Sequence, residues 1–219
     1  MARMLTAMKW IAVPALSITA PPLFAQATAR VCVAGEAAET PGPACLLASV
    51  PLGAIARPIY WHIDQFATER AAEAARTDHG TIVTAYGKIW LFTLAGQNWQ
   101  AAGGQRMARI GPLPVEATSD LTAEYLRSVF APGQTAPLHV HSGPEAFYAM
   151  TGGTCLETPD GMQKSTGPNN VLMIRAGPPM LLKAIGNEPR RGFALILHGT
   201  GLPPTTLIHD WVPKGLCDQ

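Results

Sequence analysis

The stretch "GQTAPLHVHSGPEAFYAMTGG", Gly133 to Gly153, decides how the rest of the chain is read. Residues i and i+2 of a strand project to one face, so His139 and His141 stand side by side while Val140 points away. Ser142, Gly143 and Pro144 make a tight turn, and Glu145 opens the strand that pairs back against the first. A carboxylate there reaches the space in front of both imidazoles. Two neutral imidazoles and one carboxylate suit a single divalent transition metal, Fe, Mn, Zn, Ni or Cu, and leave open positions for substrate or O₂. Without such a partner a carboxylate inside a barrel is strongly disfavoured.

The spacing within this stretch resembles the first motif of the cupin superfamily: a glycine, five residues, His-x-His, three residues, Glu, six residues and a glycine. Gly133, His139, His141, Glu145 and Gly152 fill those places. The match covers about 20 residues directly, and the strand-and-turn pattern extends it to about His198. The resemblance implies a jelly-roll, double-stranded β-helix barrel, with His139, His141 and Glu145 holding the metal. It also implies a small-molecule reaction, namely oxygenation, isomerisation or elimination. The second cupin motif supplies a further histidine after a Pro-x-Gly turn. Here the matching segment is "IRAGPPMLLKAIGN", in which Gly177 falls in place, Arg175 replaces the proline and Met180 replaces the histidine. A thioether is a poor ligand for hard ferrous or manganous ions, so the fourth ligand does not carry over. His198, ending the last strand, is the candidate extra ligand. Met180 and Phe147, which shares strand parity with Glu145, are expected to line the pocket.

Outward from the motif the spacing of turns is regular. Strands are expected at 135–141, 146–150, 154–158, 171–175, 180–185 and 193–198, separated by "SGPE", "TGG", "PDG", "AGPP" and "GNEPRR". Many short strands with turn chemistry between them point to a mainly β sandwich or small barrel. Upstream, "TIVTAY" and "KIWLFTL" read as a hairpin across Gly87. "FATERAAEAARTDHG" is the single N-terminal helix, capped by Thr68 and ended by Gly80. Residues 28–57, rich in Ala, Gly and Pro, read as an irregular leader. Residues 58–219 read as one barrel domain with its core at 131–198 and a C-terminal tail.

The first 27 residues carry Arg3 and Lys9, an apolar run from Trp10 to Ala20, and Ala25-Gln26-Ala27, a small-x-small cleavage site. They read as a secretory signal peptide, because the run is too short to span a bilayer. Export to the periplasm or outside the cell follows, with no membrane attachment after cleavage. The chain carries 16 basic and 15 acidic side chains. Removing Arg3 and Lys9 leaves 14 against 15, a formal charge of −1 that gives no support to nucleic-acid binding. Four cysteines in an exported chain suggest two disulfides. Cys32 with Cys45 would close a local loop, and Cys155 with Cys217 would tie the tail to the body. No C-x-x-C is present, so neither a redox dithiol nor a cysteine zinc site is supported.

Other histidines carry blander readings. His62 and Asp64, at i and i+2 in "YWHIDQF", read as a local polar contact before the helix. His79 belongs to the end of the helix, and His209 with Asp210 to a solvated tail. No Ser-His-Asp arrangement, P-loop or dinucleotide fingerprint occurs. The partner is therefore a small molecule, with a second copy of the chain as a further candidate. A metal-dependent enzyme is the leading function. Its rival, favoured by Met180, is a non-enzymatic binding or sensor protein built on the same pocket.

Overall fold

A computed structural model of the chain describes residues 29–33, 40–115 and 120–219. The expected signal peptide and its cleavage site lie outside the described residues. The N-terminal half contains β1 (Arg30–Val31), β2 (Cys45–Gly53), β3 (Tyr60–Phe66), α1 (Glu69–Ala75), β4 (Gly80–Ala85), β5 (Lys88–Ala95) and β6 (Gln105–Ile110). Then follow β7 (Leu121–Phe130), β8 (His139–His141), β9 (Glu145–Thr151), β10 (Gly153–Thr158) and β11 (Gly161–Ser165). The chain continues through β12 (Asn170–Ile174), β13 (Leu181–Ile185), β14 (Arg190–Gly199) and β15 (Thr205–Leu207).

The central layer is a six-stranded sheet in the order β1-β2-β7-β14-β9-β12. Its long strands β7 and β14 pair antiparallel over ten positions, and both are buried along nearly their whole length because both faces of the sheet are covered. One face, carrying Leu126, Phe130, Phe147, Ala194 and Ile196, packs with Leu156, Leu182 and Ala184 of the three-stranded sheet β11-β10-β13. These two sheets, with the β15-β8 pair, form the jelly-roll barrel. The opposite face, carrying Ala123, Tyr125, Tyr148, Phe193, Leu195 and Leu197, packs on Trp61, Ile63, Trp90 and Phe92. Those residues belong to a four-stranded sheet, β4-β5-β3-β6, laid against the outside of the barrel. Phe193 stands 5.0 Å from both Trp90 and Phe92, edge-on to each, and joins the two layers.

Several expectations are met and others corrected. The β4–β5 hairpin turns at Tyr86 and Gly87, both at positive φ, the backbone that a two-residue primed turn requires. The Tyr86 hydroxyl then reaches Ser128 O at 2.7 Å and anchors the hairpin to the central sheet. Thr68 caps α1 as expected, but the helix ends at Ala75 and Gly80 instead begins β4. His79 therefore sits in the connecting turn rather than in the helix. The reading of 28–57 as an irregular leader is corrected. Cys45–Gly53 is a nine-residue strand paired with β7, and two register shifts along it accommodate its Ala, Pro and Gly content. "YWHIDQF" is likewise a central strand, flanked by β5 and β6. Both disulfides form as anticipated, Cys32–Cys45 and Cys155–Cys217. No helix among the described residues is long and apolar enough to cross a membrane.

Candidate metal centre

β8 holds His139 and His141 at the barrel wall, bridged on one side to β15 and on the other to Met180. The turn to β9 passes so close to β14 that a Cβ on Gly143 would lie 1.9 Å from Leu197 O, so only glycine fits there. Leu197 N–H donates to Pro144 O at 3.0 Å, which sets Glu145 opposite Ile196. Three buried side chains thereby converge, with ligand atoms of His139, His141 and Glu145 within 4.8 Å of one another.

Both rings are oriented from behind. His139 Nδ1 lies 2.6 Å from Pro137 O, and His141 Nδ1 lies 2.9 Å from Pro204 O. A carbonyl only accepts, so each Nδ1 bears a proton and each ring, when neutral, turns its Nε2 lone pair inward. Such backbone bonds are how metal-ligating imidazoles are commonly held. His141 Nε2 then faces Glu145 Oε2 at 2.9 Å, and neither atom has an aligned hydrogen bond within the protein. A lone pair and a carboxylate oxygen at that distance need a cation or a proton between them. Burial and the charge of His141 push the His139 pKa below its ordinary value. At His141 burial also opposes protonation, but the Glu145 carboxylate outweighs it and raises the pKa.

The triad borders a cavity of about 580 Å³, within the range of small-molecule sites. Phe147, Leu126, Phe130, Leu182, Ala194 and Ile196 give it apolar walls. Phe147 is the aromatic member of that wall beside Phe130. Met180, the other expected wall residue, is buried in the same apolar cluster as Phe147, Leu182 and Ile174, and its backbone bridges His139. His198 is buried with Nδ1 3.0 Å from Gly199 O and Nε2 without a hydrogen-bond partner, yet it stands outside the triad's group. His62 and Asp64 lie remote from the barrel cavity, beneath Trp99. Arg106 donates to Asp64 at 2.8 Å, and His62 Nε2 lies 3.0 Å from Gly96 O. His209 and Asp210 are exposed.

Two charged residues of the wall escape sequence reading. Glu124 on β7 pairs with Ile196, which pairs with Glu145, so the two carboxylates share one row across three strands. Burial raises the Glu124 pKa, while His198 and His141 pull against it. Its one signal was its parity with Leu126, an acid spaced along an otherwise inward-facing series. Arg190 stood in "GNEPRR", which reads as an exposed turn, yet it is 1% exposed.

The strand order and triad define a cupin-type β-barrel with a candidate metal centre. No family model matches the chain, and no curated protein does. Solved structures do show similar segments. An oxalate oxidase in complex with the substrate analogue glycolate is 17% identical over 39% of this chain and 46% of its own, with a TM-score of 0.34. A cupin-like protein from Thermotoga maritima is 16% identical over 39% and 64%, with a TM-score of 0.35. The DMSP lyase DddQ from Ruegeria pomeroyi is 16% identical over 39% and 42%, with a TM-score of 0.33. The chain spans less than two thirds of the length of each. Its assignment to the cupin fold rests on its own motif and strand order.

Proposed function

We propose that this protein is an exported, metal-dependent cupin that acts on a small organic molecule. The observation that carries the reading is the confrontation of His141 Nε2 with Glu145 Oε2 at 2.9 Å, both ring Nδ1 protons being committed to backbone carbonyls. His139, His141 and Glu145 would hold one divalent transition metal. When bound, that ion would supply Lewis-acid or redox chemistry to a substrate at its open positions. Within the protein, Pro137 and Pro204 carbonyls keep the two rings aimed. The apolar walls exclude water from the reacting centre, and Glu124, held toward its protonated form by burial, can pass a proton at the cavity wall. Oxygenation, isomerisation and elimination all fit such a site. Two disulfides suit the periplasm or the exterior.

Elemental analysis of protein purified from the periplasm tests the centre. Wild type should carry close to one equivalent of a transition metal, and His139→Ala and Glu145→Ala should each lose most of it. Equal trace metal in all three would overturn the reading and leave a metal-free binding barrel.

A further inference from the structure

Arg190 is among the largest fully buried side chains of the protein, and it lines the same cavity as the triad. Its Nε donates to Thr154 Oγ1 at 2.6 Å and its Nη1 to Ser128 Oγ at 2.8 Å. Both partners are neutral hydroxyls. Nη2 has no acceptor at all, although the atom is buried. The contrast with Arg106 is instructive, since that guanidinium donates at 2.8 Å to a buried carboxylate, Asp64. A buried cation held only by hydroxyls retains most of the cost of leaving water, and that cost is relieved when an anion arrives. Burial already depresses the Arg190 pKa to about 10, with Tyr86 and the Glu145 carboxylate acting in the opposite sense.

Its position bears on what the anion would be. The Arg190 guanidinium carbon sits 5.7 Å from the Phe147 ring centroid, a cation–π contact. Phe147 is two residues from Glu145 on the same strand face, so the guanidinium and the triad are both neighbours of one ring in the same cavity. Leu126, Phe147, Leu182 and Ile196 line the same cavity. The cavity therefore offers a hydrogen-bonding cation, three metal-type ligands and an apolar wall.

We infer that Arg190 is the anion-recognising residue of this cavity, and that it takes the carboxylate of an organic acid with an apolar body whose reacting end faces His139, His141 and Glu145. The assignment rests on the reading of the cavity as a small-molecule site, but not on a metal being bound there. Arg190 is a positioning and specificity residue, since it holds the ligand by its carboxylate and leaves the reacting atoms to the triad.

The test is calorimetric titration of the purified full chain with hexanoate, octanoate and 3-phenylpropanoate, each compared with its own primary amide. An acid that meets a charge-assisted hydrogen bond unavailable to the amide should bind at least about tenfold more tightly. Arg190→Met should abolish that preference, while His139→Ala, which empties the metal centre, should keep it. Wild type that fails to distinguish acids from amides overturns the inference whatever the variants do. So does a preference lost in His139→Ala but kept in Arg190→Met, which would place the carboxylate on the metal. If Arg190→Met fails to fold, Ser128→Ala and Arg190→Lys, which disturb the fork but keep a body of similar length, must each weaken the acid preference; unchanged preference in both sinks the idea. A triad that proves metal-free while acids still bind through Arg190 would refute the metal centre and leave this inference standing.

Discussion

His139 and His141 are the same residue type two positions apart, yet their surroundings drive their proton affinities in opposite directions. Burial, aided by the charge of His141, holds His139 down; Glu145 overcomes burial and lifts His141. Without metal, His141 and Glu145 form an ion pair whose stabilisation is complete below the ordinary imidazole pKa and is lost as pH rises through the raised one. NMR of the ring protons in metal-stripped protein should show His141 titrating above His139, and Glu145→Gln should bring the two together. Binding a divalent ion must expel the His141 proton, so affinity measured by competition with a chromophoric chelator should fall on acidification. His62 behaves in the opposite sense. Burial, then Arg106, lowers its pKa from 6.5 to about 4. Below about 6.5 the unfolded chain takes up a proton that the folded chain refuses, so stability drains away as pH falls toward about 4. The loss is of the order of 3 kcal/mol at about 1.4 kcal/mol per unit. Denaturant titrations across that range should show it in wild type and a flatter profile in His62→Gln.

Among the elements, the C-terminal segment does more than end the chain. β15 pairs with β8 along all three of its residues, and the adjoining Pro204 carbonyl orients His141. Beyond it, the wholly buried Glu157 carboxylate accepts from Leu216 N–H at 2.9 Å and from Lys214 N–H, next to the Cys155–Cys217 bridge. The bridges close loops of very different size, with separations of 62 residues for Cys155–Cys217 and 13 for Cys32–Cys45. Chain entropy then assigns about 4 kcal/mol to the longer loop and about 3 kcal/mol to the shorter. Paired Cys→Ser replacements, measured by equilibrium denaturation, should follow that order. Only the longer loop's loss should also weaken metal binding, because it frees the segment that leads back to β15.

At the scale of the whole molecule, stability and site lie on opposite faces of one sheet. Phe193, Leu195 and Leu197 of β14 point into the aromatic layer with Trp61, Trp90 and Phe92, while Ala194, Ile196 and His198 alternate toward the barrel. Phe193→Ala would remove edge contacts to Tyr86, Trp90 and Phe92 together and should cost about 3–5 kcal/mol. Thermal denaturation should report the loss, and metal content per folded chain should not change. Phe147→Leu, on the other face, should leave stability nearly intact and alter which acids bind.

The parts of this protein set by neighbours in sequence were legible before any coordinates. Strand period and turn residues placed His139, His141 and Glu145 on one face, the positive-φ Gly87 closed a hairpin, and Thr68 began a helix. Period-two alternation and turn chemistry act over a few residues, so they are written locally. What depended on distant pairing was not legible. β2 looked irregular because its ladder is made with β7, from Cys45 opposite Arg127 to Gly53 opposite Leu121, far along the chain. Arg190 looked like an exposed turn until three strands enclosed it. Met180 matched a ligand position in the motif, yet its contacts turned it into packed core. The amino-acid order therefore determined the triad and the class of barrel, while tertiary structure alone decided which other charges face the cavity. Burial, unlike strand parity, is a property of what the rest of the chain places around a residue.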